Sequence, residues 1–331
     1  MTPLRPLSGD EGHSVIRRLA ALSAALLVAL PAAAQEYPTR PVRMVIGFPP
    51  GGAADVIARA VGNKLAASLG QQVIADNRGG HSGTIAAEIV AKAAPDGYTL
   101  LHGTIALVTN AILTKNLPFD YTKDLLPVTQ AVDQTNILVV HPSVPAKSMK
   151  ELIALAKTKP LNGGSSGVGG TGHLALELFN LQAGTKITHV PYKGGGPAII
   201  DLLGGQIQLS FATAASVITH IQSGKLRALA VTTAKRSAIA PELPTIAEAG
   251  LKGYEVNNWN GFFVPAGTPR ALINRLNREL TAALTAPDVK DFLFKQGIET
   301  APGTPEQFTR YMKTEHAKWA KVIKAAGLKV E

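Results

Sequence analysis

Residues 45–55 read VIGFPPGGAAD, and this stretch decides the fold. Its first part is an apolar run that predicts a buried strand, and its second part is a Pro-Gly corner that leads directly into an amphipathic helix. Glycine lets the backbone approach a ligand closely, and the first N–H groups of a helix have no partner within the helix. Together with the helix dipole, these groups predict a binding site for an anion such as a carboxylate.

A second stretch of the same kind lies in the middle of the chain. Residues 163–173 read GGSSGVGGTGH and lead into a helix that begins near Leu174. Ordinary turn chemistry explains one such loop, because glycine and serine are common in turns. Two loops, each between an apparent strand and a helix, favour the interpretation that they face each other across one cleft.

The residues that we expect to bind a ligand belong to these loops and to neighbouring strand ends. Asp55 is expected to accept hydrogen bonds from loop N–H groups, because its carboxylate would repel an anion. For His173 and Tyr192 a place in the core is the alternative role. The predicted residues are Phe48, Pro50, Gly51, Gly52, Ala53, Asp55, Thr104, Ser165, Ser166, Gly167, Gly170, Thr171, His173 and Tyr192.

Strands alternate with helices along most of the chain, which predicts the α/β class and a mainly parallel sheet. In such sheets ligands bind beyond the carboxyl ends of the strands. We expect two lobes joined by two crossing strands, a hinge that closes the lobes around a ligand. The first lobe comprises residues 35–137 and 258–331, and the second comprises residues 138–257.

Residues 1–34 have the pattern of a signal peptide. Arg17 and Arg18 precede an apolar run over residues 19–30, which is too short to span a bilayer. The residues AAA at 32–34 provide a cleavage site near Ala34. The sequence therefore predicts export to a bacterial periplasm.

Composition excludes several classes of site. The chain has no cysteine, and its 8 histidines never fall within four residues of one another, so we predict no metal and no cofactor. The net charge of +10 comes from Lys and Arg residues scattered along the chain without clusters. This pattern argues against nucleic acid as a partner and suits a small anionic ligand.

The second loop also matches two enzyme patterns. Residues 167–172, GVGGTG, fit the G-x-G-x-x-G pattern of dinucleotide sites, and residues 163–167, GGSSG, fit the G-x-S-x-G pattern of serine hydrolases. Both patterns require a strongly apolar strand before the loop, and residues 159–162, KPLN, do not provide one. We therefore expect a protein that is not an enzyme, with a serine hydrolase or an NAD-dependent enzyme as the alternative.

Several motifs give the chain a resemblance to a known family over residues 37–327. They are FPPGG at 48–52 with Asp55, DNR at 76–78, APDGY at 94–98, the loop at 165–174, VPYKG at 190–194, GKLRALA at 224–230 and PAGTP at 265–269. At these positions the sequence resembles the tripartite tricarboxylate transporter receptors, the Bug-type periplasmic solute-binding proteins.

The resemblance implies a two-lobed periplasmic-binding-protein fold of type II. It implies a monomer that captures an organic acid between the loops after Phe48 and around Ser166 and delivers it to membrane permease subunits or to a sensor. Two departures from the family pattern concern the ligand. Residues 79–81 are GGH where the family has proline and small residues, and Ala212 stands where an Asp is common. Because Ala212 removes a partner for an ammonium group, we expect a di- or aromatic carboxylate.

Overall fold

A computed structural model describes residues 37–328, and the fold begins at Pro41. The predicted signal peptide, residues 1–34, lies outside the described residues. In chain order the elements are β1 (Val42–Ile46), α1 (Ala53–Leu69), β2 (Val73–Asn77), a 3-10 turn (His81–Gly83), α2 (Thr84–Ala91), β3 (Thr99–Thr104), α3 (Ala106–Leu113), α4 (Tyr121–Asp124), β4 (Leu125–Gln134), β5 (Asn136–Val140), α5 (Met149–Thr158), β6 (Asn162–Ser165), α6 (Thr171–Ala183), β7 (Thr188–Pro191), α7 (Gly195–Leu203), β8 (Leu209–Thr213), α8 (Ala214–Gln222), β9 (Arg227–Val231), β10 (Asn258–Pro265), α9 (Arg270–Thr285), α10 (Pro287–Lys295), β11 (Ile298–Thr300) and α11 (Pro305–Ala326).

These strands form two sheets, one in each lobe, so the predicted two-lobed α/β fold is confirmed. The first sheet has the order β11-β4-β10-β3-β1-β2 and the second has the order β7-β6-β8-β5-β9. In each sheet four strands share one direction, but β10 and β11 in the first and β5 in the second run the opposite way. Most strands of each sheet therefore share one direction, as predicted, and each antiparallel pairing among the described residues includes β5, β10 or β11.

The reversed strands lie where the chain changes sheet. β4 ends at Gln134 in the first sheet, and β5 begins at Asn136 in the second. The chain returns after β9, when β10 inserts between β3 and β4. A strand that arrives from the other lobe enters its new sheet from the opposite end, which explains why β5 and β10 are antiparallel to their neighbours.

The unit from β1 to α1 forms as its sequence predicts. In β1 four of the five side chains are buried, and β1 pairs in parallel with β2 and β3. Ile57, Val61 and Leu65 recur at helical spacing on α1 and are fully buried. Each of these side chains contributes roughly 1.5–3 kcal/mol to folding. The helix ends at Gly70, whose φ of 66° is the left-handed conformation that glycine adopts without strain.

The C-terminal helix α11 holds elements of both lobes together. It packs against α3 and β4 of the first lobe and also against α6 of the second. Its Glu315 carboxylate is buried and accepts hydrogen bonds from Nε1 of Trp259 at 3.3 Å and Nε1 of Trp319 at 2.9 Å. Because Trp259 lies on the hinge strand β10, these bonds anchor α11 to the hinge.

Candidate functional site

A cleft of about 630 Å³ lies between the two lobes, at the carboxyl ends of the strands. Within the described part of the chain, its lining contains no Asp, Glu, Lys, Arg or His side chain. The lining residues are Phe48, Pro49, Pro50, Gly52, Ala53, Ala54, Ser82, Thr104, Ile105, Ala106, Gln134, Ser166, Gly167, Val168, Gly169, Gly170, Thr171, Gly194, Gly195, Thr213, Asn258 and Asn260.

Five helices begin at this cleft, and each is the helix that directly follows a strand. Parallel strands bring their carboxyl ends to one edge of a sheet, so the helices that follow them begin at the same edge. In none of the five does the N-cap side chain accept a hydrogen bond from the first turn. The helices are α1, α3, α6, α7 and α8, and they contribute Ala53, Ala106, Thr171, Gly195 and the N-cap Thr213 to the lining.

An uncapped N-terminus is not by itself particular to the cleft, because α2, α9 and α10 also lack a side-chain cap. What distinguishes the cleft is the convergence of several such termini. Each carries roughly half a positive charge on its first N–H groups. Two of these groups have partners: the Ala106 N–H donates to Oγ1 of Thr104 at 3.3 Å, and the Ala214 N–H donates to the Thr135 carbonyl at 2.8 Å. The site therefore attracts anions without a charged side chain.

The first loop, residues 47–52, is held close to the 3-10 turn. A Cβ atom on Gly47 would lie 2.5 Å from the Cα atom of Gly83, so only glycine allows this approach. Gly51 has a φ of 82°, and its N–H donates to Oδ2 of Asp55 at 2.9 Å. The loop thus turns from β1 into α1 with Gly52 and Ala53 facing the cleft.

Asp55 is the residue that fixes this loop. Its buried carboxylate accepts hydrogen bonds from the Gly51 N–H, from Nε of Arg59 at 2.9 Å and from Nδ2 of Asn77 at 2.9 Å. Burial by itself raises the pKa of this carboxyl, but the bonds from Arg59, Gly51 and Asn77 outweigh it and lower the pKa to about 2. Asp55 therefore stays ionised, and its carboxylate oxygens are occupied by these hydrogen bonds rather than by a ligand.

The second loop, residues 166–170, is held by two buried side chains behind it. Oγ of Ser165 accepts from the Gly167 N–H at 3.2 Å and lies 2.6 Å from Nε2 of His189. Nδ1 of His173 accepts from the Gly169 N–H at 3.0 Å, and the His173 ring stacks on that of His189. Burial and the neighbouring His173 lower the pKa of His189 to about 4, which favours its neutral form.

The structure brings nine of the predicted site residues together at the cleft and places six elsewhere. Gly51, Asp55, Ser165 and His173 support the loops from behind, as described above. The nine that line the cleft are Phe48, Pro50, Gly52, Ala53, Thr104, Ser166, Gly167, Gly170 and Thr171.

Tyr192 and Ala212 are the other two residues that do not line the cleft. The Tyr192 hydroxyl donates to Oδ2 of Asp201 at 2.7 Å, and its ring packs on the core of the second lobe. Ala212 is buried in that same core, because side chains alternate along β8, and the next residue, Thr213, lines the cleft instead. Position 212 therefore has no direct access to the ligand space.

Sequence reasoning missed the residues at the floor of the cleft, on the hinge strands. Gln134 at the end of β4 and Asn258 at the start of β10 are paired in register, and Asn260 lies opposite Thr104 of β3. The one signal in the sequence was the pattern N-x-N at 258–260, two amides immediately before an apolar strand. Both amide atoms of Asn260 are buried without a hydrogen-bond partner among the described residues.

His102 is a second buried polar side chain near the cleft that sequence reasoning missed. It lies on β3, is 1% exposed, and neither ring nitrogen has a hydrogen-bond partner in residues 37–328. A small cavity of about 20 Å³ beside it shares Phe48, Ser82 and Thr104 with the lining of the cleft. Burial lowers the pKa of His102 to about 4, so the ring is neutral at physiological pH.

On β4, near the change of sheet, Asp133 has an unusual carboxyl. Burial raises its pKa to about 7, the nearby Glu315 carboxylate acts in the same direction, and a hydrogen bond from Nε2 of Gln130 at 2.9 Å acts against them. The hinge therefore carries a carboxyl group that exchanges its proton near neutral pH. No group of three or more His, Cys, Asp or Glu in residues 37–328 is placed to hold a metal ion.

The chain crosses between the two lobes twice, and helix N-termini surround the cleft between them. These features define a two-lobed solute-binding protein. The family described as "Tripartite tricarboxylate transporter family receptor" matches residues 57–328. The chain belongs to this family. Protein BugT of Bordetella pertussis is 37% identical over 308 residues, which cover 92% of this chain and 94% of BugT.

Solved structures of related proteins share the fold and include bound ligands. A structure titled "R. palustris Rpa4515 with adipate" is 39% identical with a TM-score of 0.79, covering 88% of this chain and 99% of that one. The periplasmic binding protein BugD is 33% identical with a TM-score of 0.76, covering 89% and 100%. MatC from Rhodopseudomonas palustris with bound malate is 30% identical with a TM-score of 0.73, covering 87% and 100%. One of these relatives is described as a periplasmic binding protein, and two are described with a bound carboxylate, adipate or malate.

Proposed function

We propose that this protein is an extracytoplasmic receptor that captures a small organic carboxylate in the cleft between its lobes. The observation that carries the proposal is the convergence of five helix N-termini on a lining without charged side chains. Partial positive charges on fixed backbone groups bind an anion without the reorganisation that flexible Lys or Arg side chains require. We propose that the residues of loops 47–52 and 166–170 named above bind one carboxylate group of the ligand.

The expected affinity follows from the number of available donors. A hydrogen bond to a charged group contributes roughly 1.5–3 kcal/mol, and the first residues of several helices line the cleft. Association costs part of this sum, since the ligand loses its freedom of motion. A net binding free energy of about 8 kcal/mol, which corresponds to micromolar affinity, is therefore within reach.

The lining also supports a ligand without an ammonium group, such as a di- or aromatic carboxylate. The support does not come from Ala212, which is buried in the core of the second lobe. It comes from the lining itself, which within the described residues offers no carboxylate to neutralise a buried ammonium group. The volume of about 630 Å³ suits a small organic acid.

The remaining parts of the proposal concern location and partners. We propose that residues 1–34 direct export to the periplasm, that residues 35–137 with 258–331 and residues 138–257 move as two lobes, and that the protein acts as a monomer. The liganded protein delivers its solute to the permease subunits of a tripartite tricarboxylate transporter or presents it to a sensor. Membership of the family supports the transporter as the partner.

A serine hydrolase is the second candidate, and one contact favours it. Oγ of Ser165 lies 2.6 Å from Nε2 of His189, a distance typical of a nucleophile and its base. However, Ser165 is 3% exposed and absent from the lining of the cleft. The hydroxyl also contacts the backbone of Gly167, so it lies behind the loop rather than towards a substrate.

The proposal is tested by removing single N–H groups from the helix N-termini. Proline is tolerated at the first position of a helix, where it deletes one N–H donor. Ala53 and Thr171 occupy this position in α1 and α6. The preceding residues, Gly52 with ψ 167° and Gly170 with ψ 161°, already have the extended conformation that proline requires before it. Thr171→Ala is the matched control, because it keeps the N–H group.

The measurement is calorimetric titration of the protein lacking residues 1–34 with adipate, succinate, benzoate and aspartate. We expect saturable binding of at least one acid without an ammonium group, weaker binding of aspartate, and no turnover of esters. Ala53→Pro and Thr171→Pro should each weaken binding about tenfold, while Thr171→Ala changes it much less. If no carboxylate binds, or if the proline variants bind as well as the unsubstituted protein, the proposed function is wrong.

A further inference from the structure

The floor of the cleft contains an amide side chain that the fold leaves without partners. Asn260 lies on β10, is 1% exposed, and lines the cleft. Neither Nδ2 nor Oδ1 of Asn260 has a hydrogen-bond partner in the described part of the chain. Buried side-chain amides are nearly always hydrogen-bonded, so this residue requires an explanation.

The backbone holds Asn260 in this position. β10 is paired with β3 on one side and with β4 on the other, so the strand cannot shift to release the side chain. The neighbours Trp259 and Phe262 are fully buried in the core. An amide in such an apolar strand costs stability unless something in the cleft pairs with it. The ligand that the cleft receives is a partner of that kind.

The chemistry of the amide indicates which ligand group fits. The Asn260 side-chain amide has an NH2 group with two N–H donors at Nδ2 and an acceptor, Oδ1, next to it. A carboxylate accepts hydrogen bonds only, so it would leave Oδ1 without a partner. An ammonium group donates only, and the lining within residues 37–328 has no carboxylate to balance its charge. A hydroxyl group both donates and accepts, and it carries no charge.

We propose that the preferred ligand is a hydroxy-substituted carboxylate, whose hydroxyl group pairs with both amide atoms of Asn260. Asn260 is then the residue that selects hydroxy acids over their deoxy counterparts. This inference rests on the proposed function, in which the loops bind the carboxylate. It adds that Asn260 on β10 binds a second group of the same ligand, the hydroxyl group.

The neighbours of Asn260 fit a neutral polar ligand group. Thr104 lies opposite Asn260 in register, and its Oγ1 atom accepts from the Ala106 N–H at 3.3 Å, so its own hydroxyl hydrogen is directed elsewhere. Gln134 and Asn258 continue the same uncharged polar surface along the hinge strands. A hydroxyl group at this floor meets donors and acceptors throughout and no repelling charge.

The test compares acids that differ by one hydroxyl group: succinate with malate, and adipate with 2-hydroxyadipate. Calorimetric titration should show that the unsubstituted protein binds the hydroxylated acid of at least one pair about tenfold more tightly. Asn260→Leu, which keeps the branching at Cγ and has no polar side-chain atoms, should bring that ratio to within about twofold. The same substitution on the exposed surface of α1, Asn63→Leu, should keep the ratio.

The outcomes separate this inference from the proposed function. If the acids bind but the paired members bind equally, or if Asn260→Leu keeps the preference, the inference is wrong and the receptor proposal stands. If none of the acids binds, the receptor proposal itself fails. If Asn260→Leu does not fold, the affinities of the unsubstituted protein still test the inference. Equal affinities for the hydroxylated and the deoxy acid in both pairs would overturn it.

Discussion

Replacing Asp55 by Asn should loosen the first loop and weaken ligand binding, although Asp55 itself does not line the cleft. The Asp55 carboxylate accepts hydrogen bonds from Gly51, Arg59 and Asn77, all at 2.9 Å. An asparagine side chain keeps one oxygen and places an NH2 group where the other oxygen accepts. At least one of these donors then faces another donor, and the Gly51 turn loses its anchor.

The size of the effect follows from the pKa of Asp55. Folding lowers this pKa from 3.8 to about 2. The difference corresponds to about 2 kcal/mol of stability, which is present above pH 3.8 and is lost as the pH falls through about 2. At neutral pH we therefore expect Asp55→Asn to cost about 2–3 kcal/mol, or about 4 °C in Tm for a chain of this length. Carboxylate affinity should fall about tenfold, because the loop must be ordered on binding.

The matched control is Asp288→Asn on α10. Asp288 also forms an ion pair, with Nζ of Lys64 at 2.7 Å, but its side chain is 64% exposed. Exposed pairs contribute at most about 1 kcal/mol, so this variant should melt and bind almost like the unsubstituted protein. Urea unfolding and calorimetric titration of both variants check the prediction. Equal stabilities and equal ligand affinities for the two variants would refute the role assigned to Asp55.

Two further predictions concern the backbone contact of the first loop and the buried ring behind it. Gly47→Ala should lower the free energy of unfolding by about 2 kcal/mol or more and weaken ligand binding, because its Cβ would lie 2.5 Å from the Gly83 backbone. The control is Gly204→Ala, where the Cβ would have ordinary contacts of 3.5 Å or more and φ is −81°, so the free energy of unfolding in urea should change by less than about 0.5 kcal/mol. Equal effects of the two substitutions would contradict the prediction. Folding lowers the pKa of His102 from 6.5 to about 4. As the pH drops, His102 therefore binds a proton in the unfolded chain before it does so in the folded protein, and the free energy of unfolding should fall by about 2 kcal/mol between pH 7 and pH 5. His102→Gln should lack this part of the pH dependence in urea titrations, and a parallel pH profile for both proteins would be the contrary result.

The local parts of the site could be predicted from the sequence because they depend on neighbouring residues. The Pro-Gly corner at 49–52, the helical spacing of Ile57 and Leu65, and the glycines around Gly170 each determine a turn or a helix start by themselves. The role of Asp55 was also predictable, since a carboxylate in the first turn of a helix satisfies nearby N–H groups. The structure agrees with these local expectations.

The sequence could not give the direction of side chains where that direction depends on the pairing of distant strands. Ala212 was expected to face the ligand, but its register in β8 turns it into the core and exposes Thr213. Ser165 and His173 belong to the right loop, yet both lie behind it, where they hold its backbone. The insertion of β10 between β3 and β4 likewise involves residues far apart in sequence, so the strand order follows only from the structure.

The sequence by itself determined that strands end in glycine-rich loops and that helices start directly after them, because propensity and hydrophobic spacing act over a few residues. Only the tertiary structure decided that five helix N-termini meet at one cleft and that Asn260 lies at its floor. Those features depend on strand order and register, which are set by hydrogen bonds and packing between segments that lie far apart along the chain. The proposed class of ligand therefore rests on local chemistry, and its proposed selection by Asn260 rests on the way the two sheets are joined.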